Sequence, residues 1–243
     1  MRISRLYIDA LLEIDTDISL TKEQAHYLAT VLRMRKNDKV YLFNNEDAEY
    51  LAIINELDKK SANLSVISKQ ICERESTLNT TLGIGMARGQ HMDFAIQKSV
   101  ELGVNRIVPL ITEFSNVKVS EDRVENKLQH WQQIIIHAAE QCGRTHIPQL
   151  FKPQKVNEFI ISDKDALKII FHPETDVTIT QIKENPQSVS ILIGPEGGFS
   201  ESEIELATQN NFKLLTLGPR VLRAETAVVS ALTACQFAWG DLA

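Results

Sequence analysis

An excess of positive charge is the first thing missing from this chain of 243 residues. Its 26 lysines and arginines stand against 32 aspartates and glutamates, a formal net charge of −6. A protein that coats nucleic acid by bulk charge is thereby excluded. The deficit holds on both sides of residue 72, with 10 basic and 11 acidic residues up to it and 16 and 21 after it. Any acidic partner must therefore be met by a local patch. Cysteine is scarce: Cys72, Cys142 and Cys235 lie far apart with no C-x-x-C, which argues against a disulfide scaffold or a zinc ribbon. No apolar run approaches the roughly 20 residues of a membrane span. The opening MRISRLYIDALLEIDTD carries acids where a secretory leader needs an apolar core. The expectation is a soluble, cytoplasmic chain with no membrane partner. Two glycine signatures are also absent. There is no G-x-x-x-x-G-K-[ST], and Gly83-Ile84-Gly85 meets Arg88 where a dinucleotide fingerprint needs its third glycine.

What is present falls into two blocks, expected at residues 1–72 and 73–243. The first reads as short strands around one helix: RLYI, KVYLF (39–43), YLAIIN (50–55) and NLSVIS (63–68). Thr21 caps a helix expected over 22–34, with Ala25, Leu28 and Leu32 at helical spacing. Such a segment suggests a small β-barrel, and ICEREST (71–77) a linker. After it, strands alternate with helices. TLGIGMA precedes a helix that ends at Gly103, RIVPLI follows, and a long helix is expected from Ser120 to Cys142. LKIIF, VSILIG and KLLTLG are compact apolar runs of the kind buried in a parallel sheet. Ser200 and Glu203 form a capping box, and AETAVVSALTACQFAW is apolar nearly all round, hence a helix buried in a core or an interface. The second block is expected to be α/β with a mostly parallel sheet.

Two loops carry the chemistry. IGPEGGFSESEI (193–204) joins an apolar strand to a capped helix, where open α/β sheets gather ligands. A plain strand–helix turn would need one glycine; Gly194, Gly197 and Gly198 are three. LGPRVLRAETA (217–227) repeats the design and adds Arg220, Arg223 and Glu225, a set that reads an anion or a planar group unless these are surface charges at a helix start. HAAEQCGR (137–144) closes the long helix, and Arg144 there either has a function or answers the helix dipole. His130 and His137 lack a third ligand at metal spacing, so no metal is expected. His26, Arg33, Arg35, Lys36 and Lys39 form the strongest basic cluster, either a solvated helix end or a phosphate-contacting patch.

Taken in order, these blocks resemble one family. HYLATVLRMRKNDKV is similar to its H-x-x-x-V-L-R-x-x-x-G-D signature, with Asn37 in place of the usual glycine. MDFAIQKSVELGVNRIVPL is similar to its Q-K-x-x-E-L-G-V-x-x-I-x-P block, and HAAEQCGR, IGPEGGFSESEI and LGPRVLRAETA complete the series. The family is that of the bacterial 16S ribosomal RNA (uracil-N3)-methyltransferases, ribosomal small-subunit methyltransferase E, in the knotted SPOUT superfamily. Two further departures follow: after the RIVPL block the family often has Glu-Arg, but here Thr112-Glu113 runs into Phe114-Ser115, and His91 stands where lysine is common.

The resemblance implies an N-terminal PUA-like RNA-binding barrel, then a methyltransferase domain with a C-terminal trefoil knot, a homodimer, and 16S ribosomal RNA in the small subunit as partner. General topology rules alone would give an unknotted sheet. It further implies S-adenosylmethionine held by His172, Pro173, Ile193, Gly194, Pro195, Gly198, Leu217, Gly218, Val221, Leu222 and Ala227. RNA contacts are implied for Arg2, Arg5, His26, Arg33, Arg35, Lys36, Arg88, Arg144 and Arg220. Uracil N3 carries a proton, so the site must remove it or stabilise the resulting anion. Arg223 suits the anion, and Glu225 or Glu140 the base or its organiser, with Glu196 a weaker candidate at the cofactor rim. The alternatives are a related methylase acting on a ribose 2′-oxygen or a guanine, and an RNA-binding assembly factor without catalysis.

Overall fold

The computed structural model describes residues 3–115 and 121–242, with the backbone alone for residues 121–123. The chain divides into two compact units. The first comprises Met1–Glu75 and Ala139–Ile147; the second comprises Ser76–Ala138 and Pro148–Ala243.

In the first unit, β1 (Ser4–Tyr7), β3 (Lys39–Phe43), β4 (Ala48–Leu57), β5 (Ala62–Ile71) and β2 (Asp17–Ser19) make one sheet in the order β1-β3-β4-β5-β2. Only the β1–β3 pair is parallel. Alternate residues point to one face, so Ala48, Tyr50, Ala52 and Ile54 of β4 are buried with Leu64 and Val66 of β5. They share a single core with Leu6, Val40 and Leu42, and with Ala25 and Leu28 from the helical segment. Strands at both edges thus curve around the same apolar interior. Asp58 closes the β4–β5 hairpin by accepting from the amides of Lys60 and Ser61.

The helix is shorter than its periodicity predicts. Thr21 caps α1 (Lys22–His26) in a capping box with Gln24. The chain then widens into a π-helical turn over Tyr27–Val31, in which Leu32 N donates to Tyr27 O at 3.0 Å. Arg33 follows with φ +54° and ends the helical path. Asn37 has φ +71°, the left-handed region that glycine favours and asparagine tolerates best among the rest. Its replacement of the family's glycine is therefore conformationally conservative.

Two arginines expected to touch RNA prove to be internal. Arg5 is 6% exposed; its Nε donates to Glu49 Oε1 at 2.6 Å, and its Nη1 and Nη2 donate to the carbonyls of Ala139 and Arg144 at 2.7 Å each. Arg144 is equally buried, and its Nε and Nη2 both reach Glu75 Oε2, at 2.9 and 2.6 Å. Arg74 adds a bond to Glu49 and another to the Gly143 carbonyl. The guanidiniums are spent on carbonyls at the end of the long helix and on the carboxylates of Glu49 and Glu75. Neither is available to phosphate, which corrects both expectations.

The second unit is built on a wholly parallel sheet. Its strands are β6 (Asn79–Gly85), β7 (Arg106–Ile111), β8 (Gln149–Leu150), β9 (Gln154–Lys155), β10 (Leu167–Phe171), β11 (Ser188–Ile193) and β12 (Lys213–Leu215). They run in the order β12-β10-β11-β6-β7-β8, with β9 also on β7. The apolar runs behave as expected: Ile169, Ile191, Leu82 and Ile107 are fully buried. Helices α2 (Gln90–Glu101) and α6 (Ala224–Trp239) pack on each other, while α4 (Val156–Ser162) packs on α5 (Glu201–Gln209). The long α3 (Glu121–Cys142) buries Trp131, Ile135 and Ala138; Ser120, its expected start, lies outside the described residues. In α6, Gln236 is fully buried and accepts from Ser76 Oγ at 2.7 Å while donating to the Leu102 carbonyl. No described helix is long and apolar enough to cross a membrane.

The Gly83-Ile84-Gly85 pair has a packing explanation. A Cβ on Gly83 would come within 2.6 Å of Leu192 Cδ2, and one on Gly85 would collide with the ring and nitrogen of Pro195. These glycines let β6 lie against β11 and its following loop.

Candidate active site

Parallel pairing puts the carboxyl ends of β10, β11 and β12 side by side on one edge of the sheet. The loops leaving them enclose a cavity of about 690 Å³, within the usual range for a cofactor-sized ligand. From β10 come His172 and Pro173. The loop after β11 supplies Ile193, Gly194, Pro195 and Gly198. The loop after β12 supplies Leu217, Gly218, Val221 and Leu222, and α6 adds Ala227. All eleven positions proposed for a cofactor from the sequence therefore line one cavity, joined by Arg220, Arg223, Glu225 and Glu196.

The local chemistry of each loop follows from its residues. Pro195 sets the bend, and its carbonyl accepts from Gly198 N at 2.9 Å, closing a tight turn. Gly198 and Gly218 take φ of +73° and +99°, a region a side chain would strain. Ser200 and Glu203 form the expected capping box of α5, and Glu203 Oε1 also accepts from Glu113 N at 2.8 Å. That bond anchors the segment carrying Phe114, whose Cβ lies 2.9 Å from where a Cβ on Gly197 would stand. Thr216 donates its amide to the Val177 carbonyl at 2.8 Å and its hydroxyl to Gly218 O. The floor is apolar, formed by Phe171, Ile193 and Phe199, whereas Arg220, Arg223 and Glu196 are exposed.

Arg223 occupies the N-cap of α6 with Glu225 in its first turn, next to the positive end of the helix dipole. Glu225 Oε1 lies 2.9 Å from Nδ1 of His91, the second residue of α2. Glu196 Oε1 accepts from the amide of Arg88. From the sequence His91 is only a departure from the family pattern, with no role attached. The available signal was its place just after β6, which neighbours β11 in the sheet.

The remaining candidates lie elsewhere. Glu140 does not line the cavity: it belongs to the first unit, where its Oε1 accepts from Tyr7 N at 3.1 Å. Burial pushes its carboxyl up to about 7 against the opposing pull of the Tyr7 amide and Arg5, and its Oε2 has no hydrogen-bond partner. His26, Arg33, Arg35 and Lys36 are exposed on the first unit, and Arg88 is exposed on the second. Arg2 lies outside the described residues. His130 Nε2 pairs with Asp93 at 2.9 Å. Among the described residues, no three His, Cys, Asp or Glu side chains are grouped to hold a metal.

Comparison with known proteins adds an independent line. Residues 74–236 match the family described as an RNA methyltransferase domain, and residues 20–67 the RNA methyltransferase PUA domain. A ribosomal RNA small subunit methyltransferase E of Buchnera aphidicola (subsp. Schizaphis graminum) is 41% identical, covering 99% of this chain and 98% of the relative. A Legionella pneumophila protein described as a methyltransferase, solved in complex with the bound cofactor SAM, superposes with a TM-score of 0.97 at 39% identity over 100% of both chains. A ribosomal RNA small subunit methyltransferase E from Neisseria gonorrhoeae, bound to S-adenosyl methionine, gives 0.93 at 32% identity, again over 100% of both.

Proposed function

The chain belongs to the ribosomal RNA small subunit methyltransferase E family, and from that premise we propose that it methylates N3 of one uridine in 16S ribosomal RNA. It is an S-adenosylmethionine-dependent methyltransferase of the SPOUT type with an N-terminal PUA-like domain. The observation that carries the reading is the convergence of three strand-end loops on one cavity with Arg223 and Glu225 in its lining.

The cavity suits the cofactor. Its volume is adequate, glycine backbone admits close approach, and apolar side chains floor it. His172-Pro173, Ile193-Gly194-Pro195, Gly198, Leu217-Gly218, Val221-Leu222 and Ala227 would hold S-adenosylmethionine. When bound, it supplies a methyl group already activated by its sulfonium. The protein's own tasks are then positioning and charge management. Arg223 favours the uracil anion as a cation favours any neighbouring acid's ionised form. Glu225 receives the N3 proton or orients the group that does. The target base leaves its stack to reach the cavity.

The same reading covers the rest of the molecule. The first 72 residues bind RNA, with the exposed His26, Arg33, Arg35 and Lys36 meeting phosphates; residues 73–243 carry the chemistry. A trefoil knot involves the loop after β12, a path supported by the Thr216–Val177 bond and by the packing of α6 on the turn Ile179–Gln181. Two chains form a homodimer in the cytoplasm; the exposed Phe237 on the largely apolar α6 supports a partner surface there.

The test is direct. The purified chain, given S-adenosylmethionine with an isotopically labelled methyl group and either naked 16S RNA or small subunits, should yield labelled N3-methyluridine after digestion to nucleosides. Label in a 2′-O-methylnucleoside or a methylguanosine would replace the proposed target with one of its rivals. Absence of cofactor uptake by calorimetry would leave an RNA-binding protein.

A further inference from the structure

The geometry points to His91 as the group that accepts the N3 proton, with Glu225 as the residue that positions it. This rests on the N3 reading above and assigns its proton transfer. His91 stands in the first turn of α2 and Glu225 in the first turn of α6, two helices that pack on each other. Nδ1 and Oε1 are 2.9 Å apart, and both residues line the cavity. The Glu225 side chain is 14% exposed and the His91 side chain 47%, so the carboxylate is the inner member and the ring the outer one.

That order decides the roles. A carboxylate accepts, so the hydrogen of a neutral imidazole lies on Nδ1 and Nε2 keeps its lone pair. The same division of labour, an inner carboxylate fixing the tautomer of an outer imidazole, operates in hydrolytic triads. A free carboxylate is a much weaker base than an imidazole, and general-base efficiency improves as the acceptor's pKa nears the working pH. Uracil N3–H is a weak acid, so the imidazole is the better acceptor of the pair. The other charges around His91 are Arg88 just before α2, Asp93 two residues on, Glu196 across the β11 loop, and Arg220 and Arg223 before α6. Asp93 is engaged by His130. Arg223 remains to stabilise the anion.

The step balances. The N3–H bond breaks, its pair stays on N3 and forms the bond to the incoming methyl carbon, and the S–C pair remains on sulfur. The proton moves to His91 Nε2 and then to solvent, which the half-exposed ring reaches.

The test begins with wild-type enzyme. If it makes no N3-methyluridine, the N3 reading fails, whatever His91 does. If it does, kcat is measured against pH for the wild type, His91→Gln and His91→Lys, with cofactor affinity by calorimetry. The wild type should show a kcat limb that rises with pH to a plateau as the base loses its proton. His91→Gln should lose roughly 10²-fold in kcat and lose the limb, with cofactor affinity within twofold. His91→Lys should move the limb to higher pH, where an amine becomes neutral. Nitrogen-15 NMR of the resting protein should find the hydrogen on Nδ1, and Glu225→Gln should abolish that preference. An unchanged limb in His91→Gln, at any kcat, or a hydrogen on Nε2 in the wild type, overturns the assignment.

Discussion

Arg5 Nε donates to Glu49 Oε1 at 2.6 Å, and both side chains are almost wholly withdrawn from solvent. Because Arg5 also donates to the Ala139 and Arg144 carbonyls, it ties residues 139–147 to the first unit's sheet. Removing one member of such a pair leaves the other charge buried. Arg5→Ala should therefore cost about 3–5 kcal/mol of stability, read as a lower urea midpoint. An exposed arginine serving RNA would instead leave the midpoint within a few tenths of a molar.

Glu140 sets a pH dependence in the same region. Burial raises its folded-state pKa from 4.5 to about 7. The folded protein thus holds a proton that the unfolded chain has released, and stability falls as pH rises from about 4.5 through about 7. Glu140→Gln keeps the acceptor for Tyr7 N and removes the ionisation. Its stability should be flatter over this window and exceed the wild type at pH 8 by roughly 3 kcal/mol. Parallel pH curves for the two proteins would disprove the linkage.

Gly85 has no room for a side chain beside Pro195. Gly85→Ala should displace the loop that carries Gly194 and Gly198 at an overpacking cost of about 1–3 kcal/mol. Calorimetry should find S-adenosylmethionine binding weakened by at least tenfold in a folded protein. Wild-type affinity would mean that this loop does not hold the cofactor.

Arg223 is exposed in the cavity lining, at the N-cap of α6. Arg223→Ala should bind the cofactor within twofold of the wild type yet lose about 10²–10³-fold in kcat, the usual loss when a group stabilising developing charge is removed. Full turnover would take Arg223 out of the mechanism.

The cavity was legible because its determinants are local. An apolar run ending in Gly-Pro predicts a strand end with a tight loop, and two such loops at 194–198 and 217–222 fall on the two strands that flank β10 at one sheet edge. Burial of the arginines was not legible. Arg5 pairs with Glu49, 44 positions away, and with carbonyls more than 130 positions away, and nothing near Arg5 announces either. Arg33 and Arg144 look alike in sequence, but only the fold exposes one and encloses the other. The π-helical turn at Tyr27–Val31 escaped because its residues keep helical spacing while their hydrogen bonds shift by one. His91 escaped because its significance depends on Glu225, 134 residues later. The missing positive charge acquires a physical sense as well. With Arg5 and Arg144 used internally, the positive charge left for the proposed RNA contacts is smaller still than the composition suggests.

Methylation at uridine N3 is read out by primer extension on small-subunit RNA from cells with and without this protein. A methyl on N3 blocks the Watson–Crick edge, so the account predicts one strong stop, one nucleotide before a single uridine, present only when the protein is made. Restoring the wild-type chain should restore the stop, and the Arg223→Ala chain should not. Identical extension patterns from both cells would contradict the account.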